Sequence, residues 1–83
     1  MRRYWFHFEK LEKPTVLDLG CGVTARDLTD AESILRELIL TKCKNLKIKS
    51  VKHDVNFDEL EKKHVRPNIG NMALRGVWFP QGF

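Results

Sequence analysis

The apolar residues between Thr29 and Thr41 restrict this chain more than any other feature. Ala31, Ile34, Leu35, Leu38 and Ile39 stand at i, i+3, i+4, i+7 and i+8, the spacing of one buried stripe on a helix. Thr29 is a good N-cap, and Glu32 three places on makes the pattern of a capping box. Asp30 and Glu32 fall at the positive end of the helix dipole, Lys42 and Lys44 at the negative end. The pattern predicts a helix over 30–41. A one-sided helix cannot bury its stripe alone, so the rest of the chain must supply an apolar surface for it.

That surface is predicted to be a sheet. Residues 3–9 alternate, with Tyr4, Phe6 and Phe8 on one face and Arg3, Trp5, His7 and Glu9 on the other; aromatic side chains favour strands. Lys10 to Pro14 reads as a turn. Residues 15–24 alternate again, with Leu17, Leu19, Cys21 and Val23 opposite Val16, Asp18, Gly20, Gly22 and Thr24. So short a connection predicts an antiparallel hairpin. Leu46 to Lys52 reads as a third strand and Asn56 to Leu60 as one capped helical turn. Gly76 to Phe79 reads as a short strand inside an otherwise irregular tail, His64 to Phe83. The expected fold is α+β: a small two-layer domain of ββαβ type, residues 1–83 forming a single domain. If the second and third strands are parallel neighbours, the helix makes a right-handed crossover between them.

Composition narrows the function classes. A chain of 83 residues buries only about 60% of its unfolded surface, too little for a large enzyme fold with its own cofactor domain. No run approaches the roughly 18 apolar residues of a membrane span. The stretch Met1 to Glu9 lacks the apolar region and small-residue cleavage site of a signal peptide. Two cysteines, Cys21 and Cys43, do not make a disulfide scaffold, and a reduced, cytoplasmic protein is expected. They also lack metal-ligand spacing, so no metal is expected. Cys21, facing Leu19 and Val23, reads as a small core residue rather than a nucleophile.

The densest group of functional side chains is His64, Arg66, Asn68 and Asn71, around the stiffening Pro67. A neutral His beside an Arg suits base chemistry toward a phosphate or acyl substrate, with Arg66 holding the anion. The same residues suit a structural role, because a long loop without ladder bonds must pair its backbone groups somehow. Arg75 and Trp78 complete the candidate binding set. Trp78 and Phe79 are expected to fold back on the core; for Phe83 both readings, folding back and facing a partner, stand. His7 and His53 are weaker candidates. Lys42, Lys44, Lys47, Lys49 and Lys52, with Arg2 and Arg3, account for much of the +4 net charge and offer a patch for phosphate backbones. Asp54, Asp58, Glu59 and Glu61 follow directly and dilute it, so a solvated lysine face is the preferred reading.

Val16-Leu17-Asp18-Leu19-Gly20-Cys21-Gly22 resembles the first motif of the class I methyltransferases, which bind S-adenosylmethionine. The resemblance stops there: Thr24 stands where a further Gly is usual, the helix signal begins only at Thr29, and the family's sheet takes a much longer chain. The glycines instead read as part of a strand, marking a close approach that Trp5 on the paired strand would cover. Arg3 to Phe6, Gly20 to Ala25, His64 to Asn68 and Arg75 to Pro80 resemble a group of short uncharacterised bacterial proteins. That resemblance implies a bacterial origin and one compact domain.

The expected function is therefore a non-catalytic module that binds a partner protein, without a cofactor. Its surface would join the loop His64 to Asn71 to the glycine-marked face of the second strand. The alternatives are an RNA-binding module using Lys42 to Lys52 and Arg66, and a small hydrolase or nuclease with His64 as base and Arg66 as anion clamp.

Overall fold

A computed structural model describes residues 1–10, 15–43 and 46–81 of the protein. The turn to Pro14, Lys44, Gly82 and Phe83 lie outside the described residues. Four strands, β1 (Arg2–Phe8), β2 (Cys21–Ala25), β3 (Ile48–His53) and β4 (Gly76–Phe79), form one sheet in the order β3-β1-β2-β4. Every pairing is antiparallel. The helix α1 (Leu28–Leu35) continues into a wide π-type turn, Arg36–Leu40. The α+β class and the helix-on-sheet arrangement are as expected, and the strand Gly76–Phe79 has the expected bounds.

The hairpin pairs Arg2 with Ala25, Tyr4 with Val23 and Phe6 with Cys21. Pleating then sends Tyr4, Phe6, Cys21, Val23 and Ala25 to one face, where Ala31, Ile34, Leu35 and Ile39 roof them. Leu17 and Leu46 close the ends of this cluster.

Several boundaries differ from the sequence reading, each for a local reason. Residues 16–19 form a tight 3-10 turn rather than strand. Thr15 and Asp18 make their own capping pair: Leu17 N–H donates to Thr15 Oγ1 at 3.4 Å, and Thr15 N–H to Asp18 Oδ2 at 3.1 Å. The turn buries Leu17 but leaves Leu19 37% exposed, off the core face it was expected to share. The helix starts at Leu28, not 30, because Asp27 rather than Thr29 is the cap; its carboxylate accepts from Asp30 N–H at 2.8 Å. Leu38 is 37% exposed, since the wide turn changes the helical repeat just where it sits. The third strand runs Ile48–His53 and pairs with β1, so β2 and β3 are not neighbours; the helix between them packs against β2 and β4.

The other face of the sheet is also covered. Trp5, Trp78 and Phe79 pack there with Val55, Leu60 and Val65 from the irregular segment that follows β3. Arg3 Nε donates to the Val55 carbonyl at 2.9 Å and ties that segment to β1. Gly70 N–H donates to the Trp78 carbonyl at 2.7 Å and ties it to β4. Trp78 and Phe79 therefore fold back as expected. Among the described residues, no helix is long and apolar enough to cross a membrane.

Candidate functional site

The glycine-marked face is a stack of aromatic rings. Gly20 has φ +122°, a backbone state that side chains rarely adopt, and a Cβ there would lie 2.5 Å from the Trp5 indole nitrogen. A Cβ on Gly22 would run into the six-membered ring of Trp78. Trp5 was expected to cover both glycines; it covers Gly20, and Trp78 covers Gly22. The Trp5 ring lies 5.7 Å from Trp78 and 5.4 Å from Phe79, centroid to centroid. Both glycines thus serve aromatic packing. Trp78 Nε1 is buried and meets no hydrogen-bond partner among the described residues.

Beside this stack, a cleft of about 210 Å³ opens over the edge of Trp5. Leu19, Val55, Leu60 and Val65 form its apolar walls, and His7, Lys52, Glu59 and Glu61 its rim. The elements place these residues for separate reasons. Trp5 and His7 share the β1 face opposite the core. Lys52 stands directly across from Trp5 on β3. Glu59 closes the turn after Asn56, accepting from Asn56 N–H at 3.1 Å. Lys52 and Glu59 form an ion pair, and the Lys52 ammonium is the first cause holding the Glu59 carboxyl below its ordinary value. Glu61 is also held low, first by Lys63 N–H and then by His64 N–H, which donates to it at 2.7 Å.

The candidate loop residues bond to the protein's own backbone and side chains. His64 is exposed, with Nδ1 3.0 Å from Glu61 Oε2. Arg66 donates from Nε to the Leu60 carbonyl at 3.0 Å and from its terminal nitrogen to the Asp58 carbonyl at 2.5 Å. Its guanidinium also lies 5.0 Å above the Phe57 ring. Asn68 donates to the His64 carbonyl at 2.7 Å, and Asn71 accepts from Ala73 N–H at 2.9 Å. Arg75 belongs to a different place, the start of α1, where it grips Asp30 through two bonds of 2.9 and 2.6 Å. Trp78 is core. The structure therefore brings His64, Arg66 and Asn68 into one capped loop and sets Arg75 and Trp78 elsewhere.

The lysines do not gather either. Lys52 is engaged by Glu59, Lys47 and Lys49 are exposed on the β3 side, Lys42 follows the helix, and Lys44 lies outside the described residues. Among the described residues, no group of three His, Cys, Asp or Glu side chains is placed to hold a metal ion.

Cys21 is fully buried, and burial pushes its thiol up to about 12. Cys43 is half-buried after the helix end, at the margin of the same core. A thiolate is the reactive form. Iodoacetamide at pH 8 is therefore expected to alkylate Cys43 alone in the folded protein and both thiols in urea, counted by intact mass. Labelling of Cys21 as fast as Cys43 would contradict its place in the core.

The cleft walls Leu19, Val55, Leu60 and Val65 carry no local signal in the sequence, and alternation places Leu19 in the core because it takes a 3-10 turn for strand. Compared with models of known protein families, with curated proteins and with solved structures, the chain matches none.

Proposed function

We propose that the protein is a non-catalytic interaction module that binds another protein through the side carrying the Trp5 cleft and strand β3. The observation that carries this reading is the cleft itself: an indole floor from Trp5, apolar walls and a rim of both charge signs, open to solvent. Apolar pockets with a few convergent polar groups are where anchor side chains dock. The volume of about 210 Å³ suits one large side chain rather than an extended cofactor.

Support for the other readings is thinner. Arg66 is occupied by two carbonyls and a ring, which leaves a hydrolytic anion clamp without its guanidinium. A polynucleotide would meet Lys52 already neutralised by Glu59.

Leu19→Glu tests the proposal, since Leu19 lines the cleft while being 37% exposed, so the fold tolerates the change. The parent chain is expected to retain a stoichiometric partner from native lysate, and the variant to bind that purified partner at least about tenfold more weakly, roughly 1.4 kcal/mol. Absence of a stoichiometric partner, or equal binding by the variant, would sink the reading.

A further inference from the structure

Among the described residues, strand β3 closes one side of the sheet, with β1 its one strand neighbour. Such an edge leaves a row of backbone N–H and C=O groups facing outward, a template for another strand. Along Ile48–His53 only Val51 is half-buried, and the rest are exposed. The edge is also basic. Lys47 leads into the strand and Lys49 sits at the bulge, where the register skips from Ser50 to Ile48. Neither ammonium has a bonding partner among the described residues. Lys52 is different, being neutralised by Glu59.

From this we infer that an extended acidic segment of a partner protein adds to the outer edge of β3, its backbone pairing with the strand and its carboxylates meeting Lys47 and Lys49. The inference rests on the interaction-module reading and gives the partner its chemistry. Strand addition takes affinity from main-chain bonds and specificity from the side chains alongside. Charge selects among occupants. A second copy of this chain, laid antiparallel over the whole strand, has no carboxylate within Ile48–His53 to offer Lys49, and sets it against Lys52, whose charge Glu59 already answers. An acidic strand meets the reverse. A polynucleotide has no peptide backbone to continue the ladder. The lysines and the bulge thus turn away copies of this chain while leaving Ser50 to His53 regular enough to pair.

The test uses the full chain, nitrogen-15 labelled, titrated at low salt with the capped peptide acetyl-(Thr-Glu)4-amide. Expected are amide shifts concentrated on β3, slower hydrogen exchange there, and at least about tenfold weaker binding by a Lys47→Glu, Lys49→Glu double variant. The (Thr-Lys)4 peptide should not bind. An analogue N-methylated at alternate residues, which cannot complete the ladder, should bind at least tenfold more weakly than the parent peptide. Silence on β3, equal binding of the N-methylated peptide, the same shifts from oligouridylate, or a concentration-dependent dimer in sedimentation would each overturn the assignment. If the peptide fails while Leu19→Glu still releases the lysate partner, the strand-addition model falls and the module reading stands. If Leu19→Glu has no effect while the peptide binds β3, the cleft reading falls and the strand-addition assignment stands.

Discussion

Replacing Gly22 with Ala is expected to remove about 2–3 kcal/mol of stability, and Gly22→Val most of what the domain has. The reason is the indole against the strand. The first atom of any side chain at Gly22 enters the space of the Trp78 ring. That ring has no exit: Trp78 is 2% exposed, stacked against Trp5, and its carbonyl is tied to Gly70. Overpacking a core costs about 1–3 kcal/mol where neighbours can shift and more where they cannot. A domain this small has roughly 5 kcal/mol to lose, and each lost kcal/mol lowers Tm by about 4–8 °C. Thermal and urea unfolding measure the effect. The double variant Gly22→Ala, Trp78→Leu should lose less than the sum of its single changes, because the smaller side chain relieves the collision. A wild-type midpoint for Gly22→Ala would mean that the indole does not press on the strand.

Asp30→Asn is expected to lower Tm strongly at pH 7 and progressively less as the pH falls toward 2. Asp30 sits at the start of α1 with its side chain 7% exposed. It accepts the paired bonds of Arg75, the Arg26 amide at 3.0 Å and the Arg26 guanidinium at 3.4 Å. These partners, Arg75 first, hold its carboxyl well below the usual carboxylate range. A depressed folded pKa means that the unfolded chain takes up the proton first as acid is added. The contribution of Asp30 is thus complete above the unfolded value near pH 4 and fades below it, toward the lower folded value. The wild type should show a falling acid limb that Asp30→Asn flattens. Arg75→Gln should share part of both effects, since the same pair joins the loop before β4 to the helix. Parallel pH profiles for wild type and Asp30→Asn would refute the role.

Where a pattern is local and periodic, the amino-acid sequence disclosed the structure. The stripe Ala31, Ile34, Leu35, Ile39 and the alternation of Tyr4 and Phe6 each report burial on one face, and both faces are buried as read. Leu38 and Leu19 escaped because a wide helical turn and a capped 3-10 turn shift the repeat, and repeat-based reading assumes it constant. Thr15 and Asp18, three apart, were the available sign of the second turn. The cleft was not legible. Its floor comes from β1, its walls from residues as far apart as Leu19 and Val65, and its rim from a turn packed onto the sheet from 50 residues away. The pair Asp30 and Arg75 is hidden for the same reason: 45 residues separate them, and neither is unusual in its own neighbourhood.

The strand order carries a consequence for biosynthesis. β1 leaves the ribosome first yet lies inside the sheet, and the strand that flanks β2 emerges last. Until Phe79 is free of the exit tunnel, Trp5 and the bare backbone of Gly22 stay wetted and sticky. A nascent chain stalled before β4 should therefore recruit holding chaperones, and one stalled well beyond it should not.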